Sequence, residues 1–187
     1  MPPVLVEEDD DRALLLRFRR GDREAFETLV VRYQRPIYNA ALAILHRPED
    51  ASDVTQTVFL RIVEKGDGYD PQYKLFSWLY RIAVNESLDL LRRSRRQAPL
   101  DDDFDQPDAP GRGPEDVLTR AEMSTRIRRG VMGLAVNDRV VLSLRHFSDC
   151  SYEQMAEILD LDEKTVKSRL FEARRRLRGV LGDLASD

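Results

Sequence analysis

Apolar side chains recur at spacings of three and four residues along much of the chain, and no stretch alternates strictly between apolar and polar positions. This pattern predicts a helix near residues 26–45, a second near 50–64 and a third from about 74 to 93. Pro36 falls inside the first helix and is expected to interrupt and kink it. Residues 66–71, rich in Gly, Asp and Pro, predict a loop. The expected fold class is all-α.

One stretch near the middle of the chain lacks this periodicity. Residues 98–116 contain seven acidic residues, a single Arg and four of the nine prolines. Proline, glycine and like charge oppose packing into a core, so we expect an extended, flexible linker here. The chain is therefore predicted to form two small helical domains, residues 12–97 and 116–187, joined by an acidic linker at 98–115.

The C-terminal domain carries the pattern of a helix-turn-helix. Ser151 and Gln154 form the S-x-x-Q signature of a capping box, so a helix is expected to begin directly after Ser151. Asp160 occupies the turn, and Asp162 is the expected N-cap of the second helix. That helix has one narrow apolar stripe, and residues 163–178 carry seven basic and two acidic side chains. This arrangement is typical of a DNA-reading unit, although a solvated charged helix on an ordinary bundle has the same spacing.

Aromatic and cationic residues concentrate beside the predicted loop and on the third helix. Five of the fourteen aromatic side chains fall between residues 69 and 80, and residues 92–96 include four arginines. Unstacked bases and their phosphates bind to aromatic surfaces with interleaved cations, so this region is a candidate single-strand site. Trp78 fits either that role or a place in the core. The other apolar residues of the helix are expected to be core: Leu75, Phe76, Leu79, Ile82 and Ala83.

The formal net charge of −4 argues at first against a nucleic-acid partner. Its distribution argues the other way. Residues 1–11 carry −5 and residues 98–116 carry −6, which leaves +7 on the rest of the chain. Charge asymmetry of this kind is typical of proteins that bind nucleic acid through a basic body.

The remaining composition excludes several classes of protein. The single cysteine, Cys150, excludes an intramolecular disulfide and is expected to be structural. His46 and His146 have no partners visible in the sequence, so neither a metal nor another cofactor is expected. No window approaches the roughly 20 apolar residues of a membrane span, and the acidic N-terminus lacks the layout of a secretory signal. A cytoplasmic protein without a membrane partner is the expectation.

Three runs of residues together carry a family resemblance. They are YEQMA at 152–156 with TVKSRLFEAR at 165–174, DVTQTVFL at 53–60, and FSWLYRIAVN at 76–85 followed by Asp89, Arg92 and Arg93. In this order they resemble the −35-reading helix-turn-helix, the polymerase-binding helix and the −10-recognition helix of bacterial sigma factors. The extracytoplasmic-function (ECF) group, which keeps only two domains, is the most similar.

The resemblance implies a function and a set of contacts. An alternative sigma factor binds core RNA polymerase, through the clamp of the largest subunit and the flap, and directs it to promoter DNA without being an enzyme itself. The −35 element is then expected to contact Lys164, Lys167, Ser168, Phe171, Glu172 and Arg175. The −10 element is expected to contact Tyr73, Trp78, Arg81, Asn85, Arg92 and Arg93. Core polymerase is expected to contact Asp50, Asp53, Gln56, Phe59 and Leu60.

Several positions depart from the family pattern. Asp160 stands where the turn commonly has glycine, and Ala135 follows Leu134 where the family usually has proline. Asp tolerates left-handed backbone better than most residues, so the turn can survive. Glu172 replaces a residue that is often basic. A carboxylate there can accept a hydrogen bond from cytosine N4, which predicts an unusual −35 preference.

The polymerase-binding helix has lost two expected carboxylates. The family's Asp-Ala-Glu-Asp reads Asp-Ala-Ser-Asp at 50–53, and Thr57 stands where an acid usually follows Gln56. Phosphorylation would restore about −1.5 to −2 charges at a hydroxyl. We hypothesise that a Ser/Thr protein kinase switches polymerase binding on through Thr57, Thr55 or Ser52. The competing interpretation is that weaker charge pairing is simply tolerated.

One alternative function remains open from the sequence. A stand-alone helix-turn-helix regulator would account for the C-terminal half, and it predicts tight DNA binding without polymerase. An anti-sigma factor is a further possible partner of the chain. An enzyme is disfavoured because no nucleophile–base pair, metal cluster or glycine-rich phosphate loop is present in the sequence.

Overall fold

The computed structural model describes residues 8–65, 69, 73–97, 130–146 and 148–183. This part of the chain contains α-helices and no β-strand, which confirms the all-α fold class. The helices are α1 (Glu8–Arg19), α2 (Arg23–Leu45), α3 (Pro48–Lys65), α4 (Leu75–Gln97), α5 (Val136–His146), α6 (Tyr152–Leu159) and α7 (Glu163–Asp183). The predicted acidic linker and most of the predicted 66–71 loop lie outside the described residues.

Helix α2 is held at both ends by local hydrogen bonds. The Asp22 carboxylate accepts from the Ala25 amide at 3.2 Å, and His46 ends the helix in the left-handed conformation with its amide donating to Leu42. The predicted interruption at Pro36 is wrong, because the helix is continuous across that residue. Residues on both sides of Pro36 are buried against neighbouring helices, and this packing offsets the one hydrogen bond that proline cannot donate.

Part of the acidic N-terminal segment is helical and packs on the N-terminal unit. Helix α1 begins at Glu8, ahead of the predicted domain start at residue 12. The Asp11 carboxylate is buried, accepts from the Tyr33 hydroxyl and pairs with Arg32 of α2. Asp10 pairs with the same guanidinium at 2.7 Å. These ion pairs join α1 to α2. The pattern of charges along the sequence alone does not predict this contact.

The N-terminal unit has its core between α2, α3 and α4. Leu29, Ile37, Val58, Ile62 and Leu79 have no exposed surface. The five apolar residues of α4 expected in the core are confirmed there: Leu75, Leu79 and Ala83 are buried, and Phe76 and Ile82 pack against the buried cluster.

The C-terminal unit contains the predicted helix-turn-helix, formed by α6 and α7. Both hydrogen bonds of the capping box are present between Ser151 and Gln154, so the predicted start of α6 is confirmed. Asp160 adopts the left-handed conformation with φ of 55°. The Asp162 carboxylate accepts from the Thr165 amide at 2.8 Å, which confirms Asp162 as the N-cap of α7.

Helix α5 supports α7 from behind. The Arg176 guanidinium donates to both carboxylate oxygens of Asp138, at 2.9 and 2.8 Å. Cys150 is a buried free thiol in the chain between α5 and α6, which confirms the expected structural role. The ion pair between Arg176 and Asp138, made through one guanidinium nitrogen, joins α7 to α5.

The two helical units also pack on each other, α4 against α6 and α2 against α5. The Ser143 hydroxyl of α5 lies 3.5 Å from the Ala40 carbonyl oxygen of α2, a contact across 103 residues of sequence. None of the helices in the described residues is both long and apolar enough to cross a membrane.

Candidate promoter and polymerase surfaces

Helix α7 divides into a buried stripe and an exposed face. Val166, Leu170 and Ala173 are buried against the rest of the C-terminal unit. The residues predicted to contact the −35 element lie on the remaining surface: Lys164, Lys167, Ser168, Phe171 and Arg175 are exposed and Glu172 is half-buried. The structure therefore brings the six predicted residues together on one side of one helix.

The centre of this face combines an apolar ring with a charge pair. Phe171 is 67% exposed, which is unusual for so large an apolar side chain. Beside it the Glu172 carboxylate accepts from Arg175 at 2.7 Å. A phenyl ring can contact a thymine methyl, and the carboxylate and guanidinium can each read a base edge.

Tyr152, at the start of α6, is a residue that the sequence reading missed. Its ring lies between two cations, with the Lys167 ammonium 5.1 Å and the Arg145 guanidinium 5.2 Å from the ring centre. Lys167 also pairs with Glu163 at 2.9 Å. Tyr152 therefore positions Lys167 on the exposed face. The signal in the sequence was an aromatic residue in the first turn of the preceding helix.

The predicted −10 residues surround the start of α4. The Tyr69 hydroxyl donates to the Tyr73 carbonyl oxygen at 2.6 Å, and the Tyr69 ring meets the Trp78 ring edge-on with centres 5.7 Å apart. Trp78 is thus half-buried and held by a neighbouring aromatic ring. Asn85 is exposed one turn beyond Arg81. Farther along the helix Arg92 and Arg93 are exposed as well, and Arg92 pairs with Asp89 at 2.7 Å.

Arg81 is half-buried and contacts the other unit. Its guanidinium lies over the Tyr73 ring, 5.2 Å from the centre, and its Nε donates to the Glu157 carbonyl oxygen of α6 at 3.1 Å. In this arrangement the predicted −10 residues are not one open surface, because α6 occupies the Arg81 edge of it.

An apolar groove of about 700 Å³ runs between α2 and α3. Three predicted polymerase contacts line it, namely Gln56, Phe59 and Leu60. The sequence alone did not assign the opposite wall of the groove to the polymerase surface. The apolar side chains of α2 that lie outside its buried stripe could have indicated it. The apolar residues of this wall are Phe26, Val30 and Tyr38, and Gln34 and Arg35 line it as well. Leu60 is 56% exposed at the rim, so the groove presents unpartnered apolar surface.

The two acidic contacts predicted for polymerase lie outside this groove. Asp53 is exposed and stands one turn before Thr57, whereas Asp50 lies near Arg47 at 3.5 Å. The three candidate phosphorylation sites also divide between the groove and the surface outside it. Ser52 and Thr55 line the groove, and the Thr55 hydroxyl donates to the Ala51 carbonyl oxygen at 2.7 Å. Thr57 is half-buried and is not part of the groove wall.

His146 and Cys150 each contact neighbouring groups of the C-terminal unit. The Arg174 guanidinium lies 3.3 Å from the His146 imidazole, a contact that is not visible in the sequence. Burial and the charges of Arg174 and Arg145 lower the pKa of His146. Burial raises the pKa of the Cys150 thiol to about 12, which keeps it protonated. Within the described residues no group of three or more His, Cys, Asp or Glu side chains could hold a metal ion.

Two family models match the chain in the order of its helical units. Residues 29–97 match Sigma-70 region 2, and residues 124–177 match Sigma-70 region 4. The first match covers the groove and α4, and the second covers the helix-turn-helix.

Related proteins match over nearly the whole length. RNA polymerase sigma-H factor of Pseudomonas aeruginosa is 30% identical, over 96% of this chain and 98% of that protein. ECF RNA polymerase sigma factor SigW of Bacillus subtilis is 31% identical over 89% and 94%. ECF RNA polymerase sigma-E factor of Escherichia coli K12 is 32% identical over 92% and 95%.

Two solved structures share the fold. CnrH in complex with the cytosolic domain of CnrY superposes with a TM-score of 0.71 at 26% identity, covering 93% of this chain and 98% of that one. The sigma factor RpoE in complex with the anti-sigma factor NepR from Bartonella quintana superposes with a TM-score of 0.64 at 22% identity, covering 84% and 96%.

The helical fold, the exposed basic helix of the helix-turn-helix and the two matched regions define a DNA-binding transcription factor of the sigma-70 class. Within that class the chain belongs to the ECF RNA polymerase sigma factors. Proteins of this kind are regulators rather than enzymes, and the chain directs transcription initiation to particular promoters.

Proposed function

We propose that the exposed face of α7 reads the −35 element, the start of α4 reads the −10 element, and the groove between α2 and α3 binds core RNA polymerase in the cytoplasm. The observation that carries this proposal is the presence of two separate unpartnered surfaces on one chain, one basic and one apolar. A domain division at residues 12–97 and 116–187 with a linker at 98–115 is part of the same proposal.

The −35 role of α7 is supported by the chemistry of its face. A helix with a buried apolar back can lie in the major groove while its polar side meets base edges. Lys164 and Lys167 are suited to phosphates, which give affinity. Ser168, Phe171, Glu172 and Arg175 are suited to bases, which give specificity.

The −10 role of α4 is supported by its aromatic neighbourhood. The indole of Trp78 and the exposed amide of Asn85 lie about two helical turns apart on one face of α4, where both can contact one extruded base. Taking a base out of the stack costs a few kcal/mol, which the contacts in such a pocket must offset. The polymerase supplies catalysis, and this chain supplies the choice of sequence and the capture of the opened strand.

Transcription in vitro with core RNA polymerase and a random promoter library tests the whole proposal. We expect enrichment of templates with two conserved elements at a fixed spacing, and no enrichment when the chain is omitted. A stand-alone regulator would instead enrich one element in a binding selection without polymerase. Enrichment of only that single element, with or without polymerase, contradicts the sigma-factor mechanism proposed for these surfaces.

Two matched substitutions test the groove. Leu60→Asp puts a carboxylate at the apolar rim, and we expect a loss of polymerase affinity of about 2 kcal/mol, roughly 30-fold. Val31→Asp is the control, since Val31 is 73% exposed on α2 but does not line the groove. Affinity is measured by titrating labelled chain with core polymerase. Equal losses for the two variants contradict the assignment of the groove.

We further propose that a Ser/Thr kinase strengthens polymerase binding through Thr57. Asp53 stands one turn before Thr57 and Arg61 one turn after it on α3, so a phosphate there would extend an already charged face. Ser52 and Thr55 are less suitable, because a phosphate on either would put charge into the apolar groove.

Polymerase affinity of Thr57→Ala, Thr57→Glu and Thr55→Glu tests the switch. We expect Thr57→Glu to bind several-fold more tightly than Thr57→Ala, and Thr55→Glu to bind more weakly than wild type. If Thr57→Glu gains nothing over Thr57→Ala, weaker charge pairing is tolerated and the switch does not exist.

We also propose an anti-sigma factor as a partner, on the basis of family membership. The groove is the surface such an inhibitor would occupy, since it would then exclude polymerase directly. Leu60→Asp should weaken a captured inhibitor and polymerase together, whereas an inhibitor that tolerates Leu60→Asp binds elsewhere.

A further inference from the structure

Helix α4 carries few acidic residues among many basic ones. Its 23 residues include five arginines and two acidic residues, Glu86 and Asp89. Both lie close along the helix to Asn85, Arg92 and Arg93, which are exposed and are expected to contact the −10 element. Because DNA is a polyanion, an uncompensated carboxylate at this place would repel the strand that α4 is proposed to bind.

Each of the two carboxylates has an arginine partner. Asp89 pairs with Arg92, three residues further along the same helix, at 2.7 Å. Glu86 pairs with Arg61 of α3 at 3.0 Å, a contact across 25 residues of sequence. The partner of Asp89 is itself an expected DNA contact, whereas Arg61 lies on the helix that is proposed to bind polymerase. The charge of Glu86 is therefore balanced from a neighbouring helix.

The pair between Arg61 and Glu86 is partly shielded from solvent. Their side chains are 39% and 25% exposed, compared with 63% and 49% for Arg92 and Asp89. Water and salt screen a partly buried pair less than a surface pair, so Arg61 neutralises the carboxylate more completely than a surface cation would. Loss of Arg61 would leave that carboxylate without its compensating charge.

The packing of α3 against α4 fixes where this compensating charge lies. Ile62, the residue after Arg61, has no exposed surface, so the core holds this turn of α3 beside α4. Glu86 directly follows Asn85, which puts its carboxylate on the flank of the face that carries the Asn85 amide. Arg61 therefore reaches the edge of the proposed −10 surface without belonging to it.

We propose that Arg61 is a positioning residue for −10 recognition, which acts by neutralising Glu86 at the edge of the DNA-reading face of α4. With Arg61 in place, the promoter strand approaches Asn85 without meeting an uncompensated carboxylate. Without Arg61, the charge of Glu86 repels the phosphates that pass α4. This gives α3 a part in promoter binding in addition to its proposed contact with polymerase, and it rests on the proposed −10 role of α4.

Two variants of the full chain test this role. Arg61→Gln removes the compensating charge, and Arg61→Gln combined with Glu86→Gln removes the repelling charge as well. Each is bound at saturation to core polymerase and titrated with a fork probe whose single strand carries the −10 element selected by transcription in vitro. We expect Arg61→Gln to bind about threefold to tenfold more weakly than wild type, and the double variant to return to within about twofold of wild type.

Arg17→Gln is the matched control. Arg17 pairs with Asp22 at 2.7 Å, so this variant loses the same charge and leaves a carboxylate unpaired at a place outside α3 and α4. The deficit of Arg61→Gln relative to Arg17→Gln should shrink as salt is raised from about 0.05 M to about 0.3 M, because salt screens the repulsion. A deficit caused only by disturbed packing would not shrink in this way and would overturn the proposal.

The double variant decides between neutralisation and other roles of Arg61. A loss that Glu86→Gln does not restore overturns the proposal, since Arg61 then acts through the fold or through a contact of its own. Equal binding by Arg61→Gln and Arg17→Gln overturns it as well. If Arg61→Gln fails to fold, Glu86→Gln alone carries the test: it should bind at least as tightly as wild type, and weaker binding contradicts a repelling role of Glu86.

Asn85→Ala on the same fork probe separates this inference from the proposed function. A loss for Asn85→Ala with none for Arg61→Gln retains the −10 role of α4 and removes the role of Arg61. Wild-type binding by Asn85→Ala, together with a loss for Arg61→Gln that Glu86→Gln restores, removes the proposed base contact and retains the neutralisation of Glu86 beside DNA.

Discussion

Glu172 shows how one side chain on α7 can set a base preference. Its carboxylate pairs with Arg175 at 2.7 Å in the middle of the exposed face, beside Phe171. A carboxylate repels phosphates but accepts from cytosine N4, whereas an arginine donates to guanine. The residue therefore acts on specificity more than on affinity.

Replacing Glu172 with Arg should change one position of the −35 element. We expect the preferred base there to change from cytosine toward guanine, with about 1–3 kcal/mol of discrimination. A selection of −35 variants by loaded polymerase measures it. Glu27→Arg, on an exposed position of α2 away from the −35 face, is the charge-matched control, and equal changes in both selections would rule out a direct contact by Glu172.

Asp11 gives the N-terminal unit a pH dependence. Burial raises the pKa of its carboxyl group above the ordinary value, although hydrogen bonds from Tyr33 and Arg32 act in the opposite direction. The folded state therefore holds the proton more strongly than the unfolded state does. Its contribution to stability is present at low pH and is lost as pH rises through the raised pKa.

Asp11→Asn should remove this dependence. The free energy of unfolding of the wild type should fall relative to that of the variant as pH rises above the ordinary carboxyl pKa of 3.8, measured by urea denaturation at several pH values. Asp11→Ala should also lose about 1–3 kcal/mol at neutral pH, because Tyr33 and Arg32 lose a buried acceptor. Parallel pH curves for wild type and Asp11→Asn would show that Asp11 does not titrate with folding.

At the scale of elements, the helix-turn-helix depends on a few capping residues. Ser151, Asp160 and Asp162 each form the hydrogen bond or adopt the backbone conformation that their positions predict. These features are readable from the sequence because capping involves residues within four positions of one another. The ion pair that joins α7 to α5 could not be predicted from the sequence, because Arg176 and Asp138 are 38 residues apart.

Substitutions at Asp160 should follow backbone conformation rather than charge. With φ at 55°, Asp160→Gly should be neutral or stabilising by a few tenths of a kcal/mol, and Asp160→Val should cost about 1–2 kcal/mol. Thermal unfolding of the full chain measures both. A larger loss for Gly than for Val would mean that the Asp160 side chain, and not the backbone, holds the turn.

At the scale of the whole molecule, charge is divided between segments with different roles. The net charge of −4 conceals a basic body, and within that body α7 is basic whereas residues 152–163 contain five acidic residues and no basic one. The exposed apolar groove lies on the other unit. Promoter binding is therefore expected to require both the basic face and a partner that occupies the groove.

The free chain should bind a −35 duplex weakly until polymerase joins it. We expect at least about tenfold tighter binding by the loaded polymerase at physiological salt, because the polymerase then adds its own contacts to the DNA phosphates. Fluorescence anisotropy of a labelled promoter measures both affinities. Equal affinities of the free and loaded chain would favour the stand-alone regulator.

The sequence by itself determined five of the seven described helices, the caps of the helix-turn-helix and the family resemblance, since each of these depends on residues near one another along the chain. Only the tertiary structure decided which surfaces are open. It buried Asp11, separated Thr57 from the groove wall lined by Ser52 and Thr55, and turned Arg81 toward α6. These outcomes depend on which helices pack together, and hydrophobic periodicity tells which face of a helix is buried without telling which neighbour covers it.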